Sequence, residues 1–215
     1  TSAEFLDAAQ LAVNAWADAC RADLKVEITG TTPSKKSASD QVNTISYDNR
    51  LTGSNMFPSD SVIATSYSAL SNDSFFDCDI VVNGDNSGVL SVNPGVNDID
   101  LVSVLTHEVG HCLGLDHPVS EINVGAAACP GAGEYCSDNT FLQQSSMVQT
   151  GALNLGGRGD ITRRDIDQDD IDGIECMYER GKSFRKGNSC SSYHGTGGTG
   201  ALEGVILAAL GPQAA

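Results

Sequence analysis

The sequence predicts an α+β fold. Three observations lead there. Apolar residues at helical spacing open the chain, a succession of short segments with strand character fills residues 24–82, and two more helical segments follow at 101–114 and 166–178.

In chain order, residues 2–20 place Phe5, Ala8, Ala9, Ala12, Trp16 and Ala19 on one helical face behind a capping Ser2. Leu24, Val26 and Ile28 alternate with Lys25 and Glu27, the two-residue period of a half-buried strand. VNTISY (42–47), SVIATSY (61–67) and FFDCDIVV (75–82) are three more strand candidates, set off by the polar TTPSKKSASD (31–40) and by turn-rich stretches. NGDNSG (83–88) reads as a tight turn, and GVLSV adds a short strand before PGVND breaks the chain. Residues 101–114 form a helix with Leu101, Val104, Leu105 and Cys112 on its apolar face. Asn97 or Asp98 is the expected N-cap, and Gly114 the expected left-handed stop. Residues 118–160 hold few periodic stretches and read mostly as loop. In the final helix, 166–178, Asp167 is the expected N-cap, Asp169 and Asp170 sit at the positive end of the dipole, and Ile171, Ile174 and either Met177 or Tyr178 form the inner stripe. Beyond residue 181 the composition turns polar and Gly-rich. The expected division is a domain over 1–181 and a C-terminal extension over 182–215. That extension contains LEGVILAAL (202–210), apolar but far too short to cross a bilayer. It either docks on the domain, serves as a sorting remnant, or stays disordered away from a partner.

The chain has 215 residues, 40% hydrophobic and 19% charged, enough to bury a packed core. Its net charge of −16 argues against a nucleic-acid partner, whose phosphates need a basic surface, and against adsorption to anionic membranes. No nucleic acid, no membrane span and a monomeric state are expected. The opening TSAEFLDAAQ has neither the basic nor the apolar region of a secretory leader, so a leader is already gone or none existed. Seven cysteines without paired CxxC motifs point to an oxidising, extracytoplasmic compartment with two or three disulfides, the alternative being buried free thiols. The short loop CPGAGEYC favours a Cys129–Cys136 bridge. Cys112 either meets Cys176 across two packed helices or stays a buried thiol. Cys20 with Cys78 is a third candidate pair, and Cys190 is the odd one out.

HEVGHCLGLDH (107–117) holds three of the four histidines in the chain. His107 and His111 are one helical turn apart, about 40° apart around the axis, so both imidazoles reach one metal. Glu108 points roughly 100° from His107 and flanks the metal instead of ligating it. Gly114 allows the sharp bend that returns His117 to the same centre. Three neutral imidazoles leave the fourth position of a Zn2+ ion open, the pattern of a catalytic site and not of a closed structural one. A chance match to the five fixed positions is on the order of one in ten thousand for a chain this long. The competing readings are three hydrogen-bonded histidines or a purely structural metal.

This pattern resembles the zinc signature of the metzincins, a clan of zinc-dependent endopeptidases, and is most similar to the matrixins and their bacterial relatives. DCDIVVNG (77–84) resembles the sheet strand before the zinc helix. SSMVQT (145–150) puts Met147 where the Met-turn falls, and IDQDDIDGIECMY resembles the final helix. The opening helix with Trp16 also fits. The resemblance implies a catalytic domain with a twisted mixed β-sheet, a zinc-bearing active-site helix and a C-terminal helix. It implies that His107, His111 and His117 bind one catalytic Zn2+, that Glu108 is general base and then proton shuttle, and that Met147 forms a floor beneath the metal. SVIATSY would be the edge strand that holds an extended peptide, and residues 148–160 the wall of the specificity pocket. The implied protein is a secreted endopeptidase acting on protein or peptide substrates.

The chain also departs from that pattern. A second, histidine-based zinc site is excluded by count, because only His194 remains. Val148 and Gln149 follow Met147 where a proline is common. No strand precedes the first helix, so the chain begins late or the sheet is one strand short. Structural Ca2+ has candidate ligands at Asp77, Asp79, Asn83 and Asp85, or near Asp98 and Asp100, with turn and capping roles as the alternative. Two other functional readings compete: a non-catalytic binding protein on the same scaffold, against which the intact Glu108 argues, and a protease kept latent by its tail through Cys190 or His194.

Overall fold

The apolar stripe that opens the chain folds as helix α1 (Ser2–Ala19), burying Phe5, Ala8, Ala9, Ala12, Val13 and Trp16. The computed structural model describes residues 2–19, 25–32, 40–48, 57, 62–71, 74–86, 89–115, 117, 146–147, 161–178 and 205–209. After α1 come strands β1 (Val26–Gly30), β2 (Thr44–Asp48), β3 (Ala64–Ser71) and β4 (Ser74–Asn83). The short strands β5 (Leu90–Ser91) and β6 (Ile99–Asp100) lead into helix α2 (Leu101–Cys112). Helix α3 (Gln168–Tyr178) and strand β7 (Val205–Ala209) complete the order. The architecture is α+β, as the sequence predicts.

The main sheet has the order β1-β7-β2-β4-β3. β1, β7, β2 and β4 run parallel, and β3 pairs antiparallel with β4, so the sheet is mixed, and Ala64–Tyr67, the part of the expected edge segment that falls in β3, lies at its edge. The sheet is not one strand short: residues 205–209, from within the expected C-terminal extension, stand between β1 and β2.

The pleat of β4 sorts its residues by face. Cys78, Ile80 and Val82 join Ile45 of β2 and the apolar sides of α1 and α2 in one core. Full burial of such a side chain contributes about 1.5–3 kcal/mol. On the alternate positions Asp77 and Asp79 are also buried and serve the chain itself. Asp77 accepts from the Asp40 backbone N–H at 2.9 Å, and Asp79 from the backbone N–H and the hydroxyl of Thr44. Asn83 binds the Asp85 N–H and the Val62 carbonyl. Asp98 closes a turn with the Gly95 N–H at 2.9 Å. Calcium is not supported at these positions: among the described residues, the metal-capable group is the three histidines and not these acidic side chains.

The cap of α2 corrects another expectation. The N-cap is Asp100, not Asn97 or Asp98, and its carboxylate accepts from the Ser103 N–H at 2.9 Å and the Ser103 hydroxyl at 2.6 Å. β5 pairs with β6 through Ser91 and Asp100, which holds the chain extended two residues longer than the turn signals suggest. Arg164 locks the cap, its guanidinium donating to both Asp100 oxygens at 2.6 and 2.8 Å and to the Val92 carbonyl. Asp100 in turn raises the Arg164 pKa.

The cysteine pairing is also corrected. Cys78 of β4 is disulfide-bonded to Cys112 of α2. This excludes Cys112–Cys176, a free Cys112 thiol and Cys20–Cys78 together. The helix face carrying Cys112 packs on the sheet, so its partner comes from β4. The proposed Cys129–Cys136 bridge, Cys190, His194 and residues 148–160 lie outside the described residues.

Candidate active site

Helix α2 is buried at eleven of its twelve positions, from Leu101 through Gly110 and again at Cys112, so the helix that carries the histidine signature runs through the interior and not over the surface. Its C-terminal turn presents His107 and His111. The chain then bends at Gly114, whose φ of 95° lies in the left-handed region that an L side chain resists. The bend is closed by Gly114 N–H to His111 O at 2.9 Å and Leu115 N–H to Gly110 O at 3.0 Å. Two residues beyond Leu115, His117 comes back to the other two rings.

The three imidazoles converge. The Nε2 atoms are 3.0 Å apart for His107 and His117, 3.1 Å for His107 and His111, and 3.2 Å for His111 and His117. The opposite nitrogens are anchored: His107 Nδ1–H donates to the Ser146 carbonyl and His111 Nδ1–H to the Leu115 carbonyl, each at 2.8 Å. With the proton held on Nδ1, each of these two rings turns an Nε2 lone pair inward. Three lone pairs this close repel unless a cation lies among them. Ligand nitrogens on one tetrahedral zinc, bound at about 2.0–2.1 Å, are about 3.3 Å apart. The observed spacing fits that ion, and the three histidines are the metal-capable group of histidine, cysteine and carboxylate side chains among the described residues. Burial, then the positive charge of neighbouring His111, lowers the His107 pKa well below that of a free imidazole, which keeps the ring neutral and ready to ligate.

Glu108 lies beside this centre and is 7% exposed. Burial pushes its carboxyl up to about 7, against the opposing effect of the Ser66 hydroxyl and backbone N–H, which both donate to it. Its Oε2 is buried with no hydrogen-bond partner among the described residues, leaving one carboxylate oxygen free to accept a proton or a water. Ser66 belongs to β3, so the edge strand and the acidic side chain are joined directly. Tyr67, next along β3, has its phenol pKa raised by burial and, secondarily, by the Glu108 charge.

Several residues that support the site carry no strong sequence signal. Ser146 holds His107 and is itself held by Asp170 of α3, whose Oδ2 accepts from the Ser146 N–H and hydroxyl at 2.8 Å each. Trp16 of α1 donates from Nε1 to the Thr106 carbonyl, one residue before the first ligand, at 2.8 Å. Gly110 leaves space: a Cβ there would collide with Met147 Sδ and lie 2.8 Å from Trp16 Cζ2. Met147 is buried against α2 at Gly110.

The matrixin family profile matches residues 5–127, a stretch that takes in most of α1, the strands β1 to β6 and the whole histidine signature. No curated protein and no solved structure matches the chain. With more than half of its length matched, the signature in place and the imidazoles gathered, the chain belongs to the matrixin family of zinc metalloproteases.

Proposed function

We propose that the protein is a secreted zinc endopeptidase in which His107, His111 and His117 hold one catalytic Zn2+ and Glu108 is the general base. The observation that carries this reading is the convergence of three Nε2 atoms within 3.2 Å of one another beside a buried carboxylate, one oxygen of which has no hydrogen-bond partner among the described residues. When bound, zinc would supply Lewis acidity to a water and to the scissile carbonyl. Glu108 accepts the proton of the attacking water at Oε2 and returns it to the leaving amine. Ser66 fixes the other side of that carboxylate, so the base meets substrate in one orientation. The edge position of β3 suits an extended peptide, whose backbone would add to the open side of the strand. Protein or peptide chains are thus the substrate class, and the enzyme is read as a monomer.

Secretion is supported by the Cys78–Cys112 disulfide, which forms and persists in oxidising compartments. Among the described residues no helix is long and apolar enough to cross a membrane.

The alternative of a non-catalytic scaffold is separated by one substitution. Glu108→Ala is expected to retain zinc and lower cleavage of an unfolded protein substrate by about 10²–10⁴-fold. Undiminished cleavage would remove Glu108 as base, and absence of cleavage in the wild-type protein would favour the binding-protein reading.

A further inference from the structure

The place of β7 in the sheet is set by two ladders that meet at one residue. Val205, Ile206, Leu207 and Ala208 pair with Val26, Glu27, Ile28 and Gly30 of β1, and Ala208 and Ala209 pair with Thr44 and Ile45 of β2. β1 and β2 are not neighbours, so among the described residues β7 is the sheet's only link between β1 and the β2-β4-β3 unit. Val26, Thr44 and Ile45 are buried on the two sides of this slot. An empty slot would leave two facing strand edges with unpaired backbone groups, each a template for an added strand. The occupant is suited to it: VILAA is uncharged and begins with two β-branched residues, the composition of a strand buried within a parallel sheet.

We infer that residues 205–209 are a donor strand, a segment from the far end of the chain that completes the sheet and that the same sequence supplied in trans can replace. The occupant of the slot is this chain's own segment. The consequence extends to the histidine centre. β1 follows α1 in the chain and packs against it, and α1 holds the Thr106 carbonyl through Trp16. Seating of the C-terminal strand therefore fixes β1, and with it the seat of α1 against the zinc helix.

Amide hydrogen exchange on the full chain tests it without reference to cleavage. In the wild-type protein, amides within 206–209 are expected to exchange as slowly as those of β1. Leu207→Pro, which removes an amide from the middle of the sheet, is expected to speed exchange across residues 26–30 at least about tenfold while the β3–β4 pair stays protected. Excess synthetic peptide GVILAALG is expected to restore that protection. Exchange of the wild-type 206–209 amides at the rate of the free peptide would overturn the inference, even if Leu207→Pro does not fold. So would unchanged β1 exchange in a folded Leu207→Pro variant, or failure of the peptide to restore it. Protection that appears only as protein concentration rises would assign the slot to a second copy and overturn the in-chain assignment.

Discussion

Asp170 holds Ser146 twice, through its backbone N–H and its hydroxyl, both on the same carboxylate oxygen. Because the Ser146 carbonyl accepts from His107 Nδ1–H, a carboxylate on the last helix orients the first histidine of the site through one intervening residue. Partners of this kind typically change metal affinity about 10–100-fold when removed. Asp170→Ala is expected to weaken zinc binding by that order and to cost about 1–3 kcal/mol of stability, because two buried donors lose their acceptor. Ser146→Ala, which removes only the hydroxyl, is expected to do less of both. Competition with a chromophoric chelator, beside thermal melts, measures the two effects. Unchanged zinc affinity in folded Asp170→Ala would show that the relay stops short of the metal.

Gly110 is a second pressure point. A methyl group at this position would fall inside the contact distance of Met147 Sδ and of the Trp16 ring. The thioether can rotate away, but Trp16 is fully buried and tied to Thr106. Gly110→Ala is expected to destabilise the fold by about 1–3 kcal/mol despite alanine's better helix propensity. Equilibrium denaturation would check the sign, and a stabilised variant would contradict the packing described.

The disulfide joins helix α2 to the sheet across a sequence separation of 34 residues. Bridges of this span typically contribute about 2–4 kcal/mol, mainly by restricting the unfolded chain. Paired Cys78→Ala and Cys112→Ala substitutions are expected to lower the denaturation midpoint accordingly. The double variant should also lose the sensitivity of that midpoint to reductant. An equal reductant effect in both proteins would place the sensitive bridge elsewhere.

The Arg164–Asp100 pair combines a partly exposed guanidinium with a nearly fully buried carboxylate, at 27% and 1% side-chain exposure. Arg164→Ala leaves the carboxylate without its counter-charge, though Ser103 still donates to it. Solvent reaching the arginine side limits the cost to about 1–3 kcal/mol. Arg164→Lys is expected to recover only part of this, because an ammonium cannot present the two-pronged contact. Thermal melts of the three proteins should rank wild type, lysine and alanine in that order. A lysine variant as stable as wild type would show that charge alone matters.

What could be read in the sequence was local. The spacing of His107, His111, Gly114 and His117 encodes the site because a helical turn and one left-handed residue suffice to assemble it. Helices α1, α2 and α3 and strands β1 to β4 follow from periodicity for the same reason. What escaped depends on how distant elements pack. Cys112 found Cys78 because the inner face of α2 lies on β4, a choice that spacing along the chain does not encode. Asp100 became the cap because β6 pairs with β5, so the extended conformation persists past Asn97 and Asp98. The strand at 205–209 was legible as an apolar run, but its slot between β1 and β2 was not. Ser66 and Gly110 look ordinary in sequence, since their roles arise only where β3 meets Glu108 and where Met147 meets α2.

The central claim is that His107, His111 and His117 share one zinc ion through Nε2. X-ray absorption at the zinc edge on the purified protein tests it most directly. The account predicts one zinc per chain with three imidazole nitrogens at about 2.0–2.1 Å, no sulfur ligand, and a remaining position taken by a light atom. A folded protein that takes up no zinc, or a zinc shell containing sulfur, would contradict it.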